Sequence, residues 1–177
     1  MNIKNYSQTD VNMMVQEILR SMYYQNFRPD YIVGITRGGL VPALMLSHYL
    51  DIPMHALHAS SKEHVEKESN LWMAEDAFGY NSIDNGAGFS DSALRKNILI
   101  VDDINDSGET FKWIKKDWVA GCLPSDNSWE TIWGNNVKFA ALVNNENSEF
   151  EVDFSGVDIN RYEDDASIRF YWEQWWK

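Results

Sequence analysis

Apolar and polar positions along this chain switch repeatedly between a helical and an extended period. Val11, Met14, Val15, Ile18, Leu19 and Met22 recur at the spacing of one helix face. Thr9 or Asp10 stands where an N-cap belongs, and Arg28-Pro29-Asp30 ends the segment. Tyr31–Ile35 is a short unbroken apolar run, which predicts a strand buried on both faces. It leads through Thr36-Arg37-Gly38-Gly39 into a helix over Leu40–Leu50, and an extended pattern resumes over Ile52–Ala59. Lys96–Val101 is the clearest buried strand. It runs into the acidic turn Asp102–Thr110, a helix from Glu109 to Ala120 follows, and Lys138–Val143 is a third strong strand. Strands alternating with helices in this way predict parallel β-α-β units, hence an α/β fold with an open, mostly parallel sheet flanked by helices.

Residues 60–95 break the pattern. They are polar and charged, with Gly79, Gly86 and Gly88, and a loop of that length within a domain reads as a lid or a disordered insert. The tail Asn144–Lys177 is acidic and aromatic. There is no internal repeat or low-complexity tract, and 177 residues suit a single domain over 1–177.

Composition narrows the partners. Fifteen Lys+Arg against 27 Asp+Glu gives a net charge of −12, which argues against a nucleic-acid partner and against electrostatic attachment to a membrane surface. The single Cys122 excludes an intramolecular disulfide framework and a cysteine zinc site. Met1–Asp10 is polar, unlike a signal peptide, and no run reaches the roughly 18 apolar residues of a membrane span. The expectation is a soluble, cytoplasmic protein. The 8 Trp, 8 Tyr and 8 Phe call for a deep core or an interface.

The chemistry concentrates at two strand-to-helix turns, and in open α/β sheets ligands bind beyond the carboxyl ends of the strands. At the second turn Asp102, Asp103 and Asp106 crowd a strand end, and Ser107-Gly108-Glu109-Thr110 opens a helix. Amides at a helix N-terminus favour an anion, Gly108 admits close backbone approach, and the Ser107 and Thr110 hydroxyls add donors. The neighbouring carboxylates suit sugar hydroxyls, a divalent cation or a transferable proton. A ligand with a terminal phosphate, a diol and bound magnesium meets all three needs. Neither a G-x-x-x-x-G-K-[ST] nor a G-x-G-x-x-G motif occurs at either turn.

Val101–Thr110, V-D-D-I-N-D-S-G-E-T, resembles the phosphoribosyl pyrophosphate (PRPP) signature of the type I phosphoribosyltransferases. Gly34–Ala43, G-I-T-R-G-G-L-V-P-A, resembles their pyrophosphate loop and its helix, closest to the xanthine-guanine and hypoxanthine branch. The resemblance covers about residues 25–145. It implies the type I phosphoribosyltransferase fold with a long mobile lid loop over 60–95 and a small C-terminal hood and base pocket over 144–177. It also implies a Mg2+-dependent enzyme that transfers the ribose 5-phosphate of PRPP to a nucleobase, with a purine expected. The products are a nucleoside 5′-monophosphate and pyrophosphate, and the family expectation is a homo-oligomer, dimer or tetramer. Carried over by position, Asp102 and Asp103 bind the ribose hydroxyls and the metal, and Asp106 is the catalytic base. Asp106, Ser107, Gly108, Glu109 and Thr110 wrap the 5′-phosphate. Thr36, Arg37, Gly38 and Gly39 hold the pyrophosphate, in a loop whose peptide can be cis in this family.

The departures fall on the base. Asn144 or Asn145 stands where the branch carries a purine-contacting Lys. Ser167 falls at the stacking Trp, Tyr171 at a Pro and Trp172 at a second Trp. Asn145, Ile168 and Trp172 are the base-pocket candidates. Of the tail rings Phe170, Tyr171, Trp172, Trp175 and Trp176, the alternatives are hood packing, an oligomer interface or a ring over the base. Ser60-Ser61 resembles the start of the family lid, with Lys62 in place of its Tyr. His55 and His58 read as partly buried histidines, and Trp113 and Trp118 as core or a dimer seam. The alternative function is a catalytically weak PRPP- or nucleotide-binding regulatory protein on the same fold, against which the carboxylate of Asp106 speaks.

Overall fold

The computed structural model describes residues 2–59, 71–82, 88–122 and 127–173. Strand β1 (Ile3–Tyr6) leads into helix α1 (Gln8–Tyr24). The cap of α1 is Ser7, two residues before Thr9 and three before Asp10, the positions expected from the sequence. The Asp10 amide donates to Ser7 Oγ at 3.2 Å, and the Ser7 amide donates to Asp10 Oδ2 at 2.7 Å. Asp10 is thus the far side of a capping box, and the Ser7 hydroxyl holds its carboxyl below the ordinary value.

The chain continues through β2 (Tyr31–Ile35), α2 (Leu40–Leu50), β3 (Met54–Leu57), α3 (Leu71–Phe78), β4 (Tyr80–Ser82) and β5 (Gly88–Ser90). Then follow β6 (Ile98–Asn105), α4 (Glu109–Gly121), β7 (Val137–Asn145), β8 (Phe154–Ile159) and β9 (Ser167–Phe170). Five strands form the central sheet in the order β3-β2-β6-β7-β8, and every pairing in it is parallel. Along β2 and β6 successive residues alternate between two cores, and β7 contributes to both. Val33, Ile98, Ile100 and Phe139 enter one with Phe78, Phe111 and Trp118 from α3 and α4. Ile32, Leu99, Val101 and Leu142 enter the other with Val11, Ile18 and Leu46 from α1 and α2. Covering both faces is what makes these strands read as unbroken apolar runs.

Within the loop expected over 60–95, residues 71–82 and 88–95 carry regular structure and packing. Met73, Ala74, Ala77 and Phe78 are buried along α3, β4 and β5 pair antiparallel, and Asp76 receives the Tyr31 hydroxyl at 3.2 Å. The eight-residue helix is too short, and too interrupted by Glu75 and Asp76, for its period to stand out. Ser60, Ser61 and Lys62 lie outside the described residues, as do Gly86, Trp175 and Trp176.

The tail divides between two sheets. β8 extends the central sheet at its edge, and β9 pairs in parallel with β1, Ile3 opposite Ser167 and Tyr6 opposite Phe170. Trp118 is core, and Trp113 packs against the same cluster. His55 is half-buried, edge-on to Tyr31 and Trp72, whereas His58 is exposed. Cys122 is buried, and burial pushes its thiol up to about 11, which keeps it protonated and unreactive. No helix among the described residues is long and apolar enough to cross a membrane.

Phe170 fastens the β1–β9 pair to the body of the protein. Fully buried, it stacks on Tyr6 with ring centroids 5.7 Å apart and on Trp172 at 4.5 Å. Phe170→Ala is expected to cost about 3–5 kcal/mol of stability, read from urea unfolding.

Candidate active site

Strands β2 and β6 are direct neighbours, with Gly34 opposite Val101, so the two turns noted in the sequence leave the sheet side by side. Each feeds a helix whose N-terminus carries no side-chain cap: α2 starts at Gly39 and α4 at Gly108. The contrast with the fully capped α1 is informative. The cap residues Gly39 and Gly108 offer these helices no side-chain acceptor, the Glu109 amide meeting only Ser107 Oγ at 3.4 Å, and the helix dipoles favour negative charge in front of them.

Two glycines set how closely these turns fit. A Cβ on Gly38 would overlap the carboxylate of Asp103, so the first turn lies directly against the end of β6. Gly108 has φ +85°, and a Cβ there would come within 2.5 Å of Phe150 Cβ. Its turn requires both the left-handed conformation and the missing side chain. The Thr36–Arg37 peptide is cis, and Thr36 Oγ1 lies 2.9 Å from His58 Nδ1. His58 thus steadies the first turn from the end of β3, a role its place in the sequence does not reveal.

Asp102 and Asp103 stand between the two helix ends. The Asp103 amide donates to Asp102 Oδ1 at 2.9 Å. Burial, then repulsion from Asp103, pushes the Asp102 carboxyl well above its ordinary value. Burial also raises Asp103, with hydrogen bonding to Asp102 and the Ile104 amide pulling it back and Glu173 adding repulsion. A pair in that condition gains from a cation placed between its oxygens.

Two cavities flank the pair. One, of about 590 Å³, is lined by Asp106, Ser107, Glu109, Asn145, Arg161, Tyr162 and Ser167, among others. The other, of about 580 Å³, is lined by Arg37, Gly38, Asp103, Ile168, Arg169, Trp172 and Glu173. The expected base-pocket set is therefore divided: Asn145 lies in the first cavity, Ile168 and Trp172 in the second. Alternation along β9 is one reason, since Ser167 and Ile168 leave the strand on opposite sides.

Asn145 is occupied with holding the first cavity together. Its amide donates to the Asp106 carbonyl at 3.0 Å, and its Oδ1 accepts from the amides of Asn147 at 3.1 Å and Arg161 at 3.3 Å. Beneath the turn, buried Asn105 donates to Asn144 Oδ1 and to the Phe150 carbonyl, both at 2.8 Å, and accepts from Ser148 Oγ at 3.1 Å. Asn144 in turn donates to Asp158 Oδ1 at 3.0 Å. This row crosses the ends of β6, β7 and β8 in register. It fixes the β6–α4 turn from below. Sequence reasoning also missed Arg161, whose Nε donates to Asp106 Oδ1 at 3.0 Å.

The profile of the phosphoribosyl transferase domain matches residues 2–175. The chain belongs to this family. Among phosphoribosyltransferases it is similar to xanthine phosphoribosyltransferase 1 of Saccharomyces cerevisiae, 27% identical over 116 residues that cover 60% of this chain and 56% of the yeast protein. It is also similar to the xanthine-guanine phosphoribosyltransferase of Idiomarina loihiensis, 33% identical over 86 residues, 48% of this chain and 46% of the relative. The matched stretch thus spans about half the length of these relatives. The purine phosphoribosyltransferase structure from Pyrococcus horikoshii Ot3 shares the fold, with a TM-score of 0.65, 22% identity and coverage of 99% of this chain and 96% of that one.

Gly108→Ala forces a positive φ on a residue with a Cβ and drives that Cβ into Phe150. It is expected to lower stability by about 1–3 kcal/mol, measured as a shift of the urea midpoint, whereas Gly121→Ala, near open space at the end of α4, leaves the midpoint within error.

Proposed function

We propose that this protein transfers the ribose 5-phosphate of PRPP to a purine base in a magnesium-dependent reaction, releasing pyrophosphate and forming a nucleoside 5′-monophosphate. One observation carries the reading: two helix N-termini without side-chain caps, on adjacent parallel strands, with an acidic pair between them. PRPP has a phosphate at one end, a diphosphate near the other and a diol in the middle, and the three features match it in that order. The purine phosphoribosyltransferases to which the chain is similar support the choice of base class.

In this reading the amides of Ser107–Thr110 take the 5′-phosphate. Arg37 and the amides of Gly38 and Gly39 take the diphosphate, and Thr36 is oriented by His58. Asp102 and Asp103 hold the ribose hydroxyls and supply hard oxygen ligands for Mg2+. Their fit to that ion is chemical: they form a half-buried acidic pair with raised affinity for positive charge. Among the described residues no group of three or more His, Cys, Asp or Glu could hold a metal. A site of one or two carboxylates completed by substrate phosphates is the usual one for magnesium. When bound, the ion would neutralise charge on the departing pyrophosphate.

A ring nitrogen of the base attacks the anomeric carbon, the bond from that carbon to the pyrophosphate oxygen breaks, and the proton on the ring passes to Asp106. One carboxylate oxygen of Asp106 is held by Arg161, which leaves Oδ2 for that proton. Tyr162 is the aromatic residue among the described lining of the Asp106 cavity, and at 87% exposure its ring is open for stacking on the base. It takes the place that Ser167 leaves vacant.

Asp106→Asn keeps the shape of the turn and removes the proton acceptor. It is expected to lower kcat by about 10²–10⁴-fold while PRPP affinity, measured by calorimetry, stays within about threefold. An equal loss in both would remove Asp106 from the role of base.

A further inference from the structure

We infer that Ser148, in the loop between β7 and β8, is a positioning residue for the phosphate end of the site: its hydroxyl holds the β6–α4 turn in the shape that the 5′-phosphate of PRPP needs. The inference rests on the phosphoribosyl-transfer reading above and adds to it a residue outside both sequence motifs.

Ser148 is half-buried behind the turn. Its hydroxyl donates to Asn105 Oδ1 at 3.1 Å and accepts from the Phe150 amide at 3.2 Å. The same oxygen lies 2.8 Å from where a Cβ on Gly108 would stand. One atom thus meets the end of β6, the β7–β8 loop and the glycine of the turn.

The direction of these bonds is set from the far end of the row. An ionised Asp158 carboxylate only accepts, so Asn144 turns its Nδ2 toward it and its Oδ1 toward Asn105. Asn105, 2% exposed, gives its Nδ2 hydrogens to Asn144 Oδ1 and to the Phe150 carbonyl. Its Oδ1 is left facing Ser148, and the hydroxyl there closes the circuit. An Ala at position 148 leaves that Oδ1 and the Phe150 amide without this partner, where a missing hydrogen bond is costly.

The circuit bears on a ligand through the next peptide. The Glu149 amide donates to the Ser107 carbonyl at 3.2 Å. In a planar trans peptide the carbonyl of Ser107 and the N–H of Gly108 point in opposite directions. Holding the carbonyl from Glu149 therefore aims the Gly108 N–H away from that contact. Ser148 fixes where the Glu149 amide stands: its own amide donates to the Asn145 carbonyl at 2.8 Å, and its hydroxyl is tied to Asn105. On the other side of Glu149, Phe150 packs behind Gly108, and the Glu149 side chain pairs with Lys112 of α4. None of these contacts reaches Arg37 or Gly38, so the effect belongs to one end of the ligand.

Calorimetry measures the binding of ribose 5-phosphate and of pyrophosphate, each with magnesium, to the wild type, Ser148→Ala, Asn105→Leu and the double variant, with thermal melting alongside. Ser148→Ala should weaken ribose 5-phosphate about three- to tenfold and leave pyrophosphate within about twofold. The KM for PRPP should rise while kcat stays within about threefold. The double variant should lose no more ribose 5-phosphate affinity than Asn105→Leu alone, because both residues act through one circuit; fully additive losses would overturn the inference. So would an unchanged ribose 5-phosphate affinity in Ser148→Ala, or equal losses for the two fragments, and either result leaves the reaction standing. Ser148→Ala decides this alone if Asn105→Leu does not fold. A wild type that binds neither fragment and turns over with no base would overturn the reaction, and the inference with it.

Discussion

The seating of Gly38 against the Asp103 carboxylate is the contact on which the site depends. It brings the loop after β2 flush against the end of β6, so that the amides of one helix end and the carboxylates of the other turn share one small volume. A side chain at position 38 would displace the Asp103 carboxylate, and one at position 39 would run into the Val101 carbonyl at the end of β6. The rest of the structure serves this fit. The parallel pairing of β2 with β6 sets the height of the two turns. Phe150 closes behind Gly108, and the Asn105–Asn144–Asp158 row locks the far side. Rigid support of this kind holds donors in place before the ligand arrives, which is where binding sites gain most of their precision.

The chain's charge makes this local arrangement necessary. A protein with a net charge of −12 gains nothing from long-range attraction of a polyphosphate. Under the proposed function, affinity comes instead from amides, from Arg37 and from a cation shared between the ligand and the acidic pair. The same surplus of carboxylates gives Arg161 its place: in a cavity bordered by Asp106, Glu109, Glu149 and Asp165, its guanidinium is the cation among the described lining residues and is paired with Asp106.

Much of the fold was legible because the buried strands of a doubly covered sheet are continuous apolar runs. Ile98–Val101 and Phe139–Val143 announce themselves in this way, and the motifs that follow such strands name the turns. What escaped the sequence depends on pairing in space. β1 and β9 are four-residue strands from opposite ends of the chain, each carrying polar residues, and neither has a period long enough to notice. α3 conceals its buried face in eight residues. Arg161 looks like one charge in an acidic tail until the fold brings it to Asp106. Asn145, a base-pocket candidate by its match to the family's Lys position, lines the Asp106 cavity and hydrogen-bonds the backbone of Asp106 and Arg161, partners that only the fold brings to it. The aromatic surplus is mostly core: Phe111, Phe139, Phe150 and Trp118 pack together beside α4.

The central claim is that the two turns form one site that holds both ends of PRPP. Competition calorimetry with magnesium present tests it directly, titrating PRPP into the protein alone, with ribose 5-phosphate, and with pyrophosphate. The account predicts that each fragment weakens PRPP binding competitively and that the two fragments bind together, since each fills one half of the site. PRPP binding unaffected by saturating amounts of either fragment would contradict it.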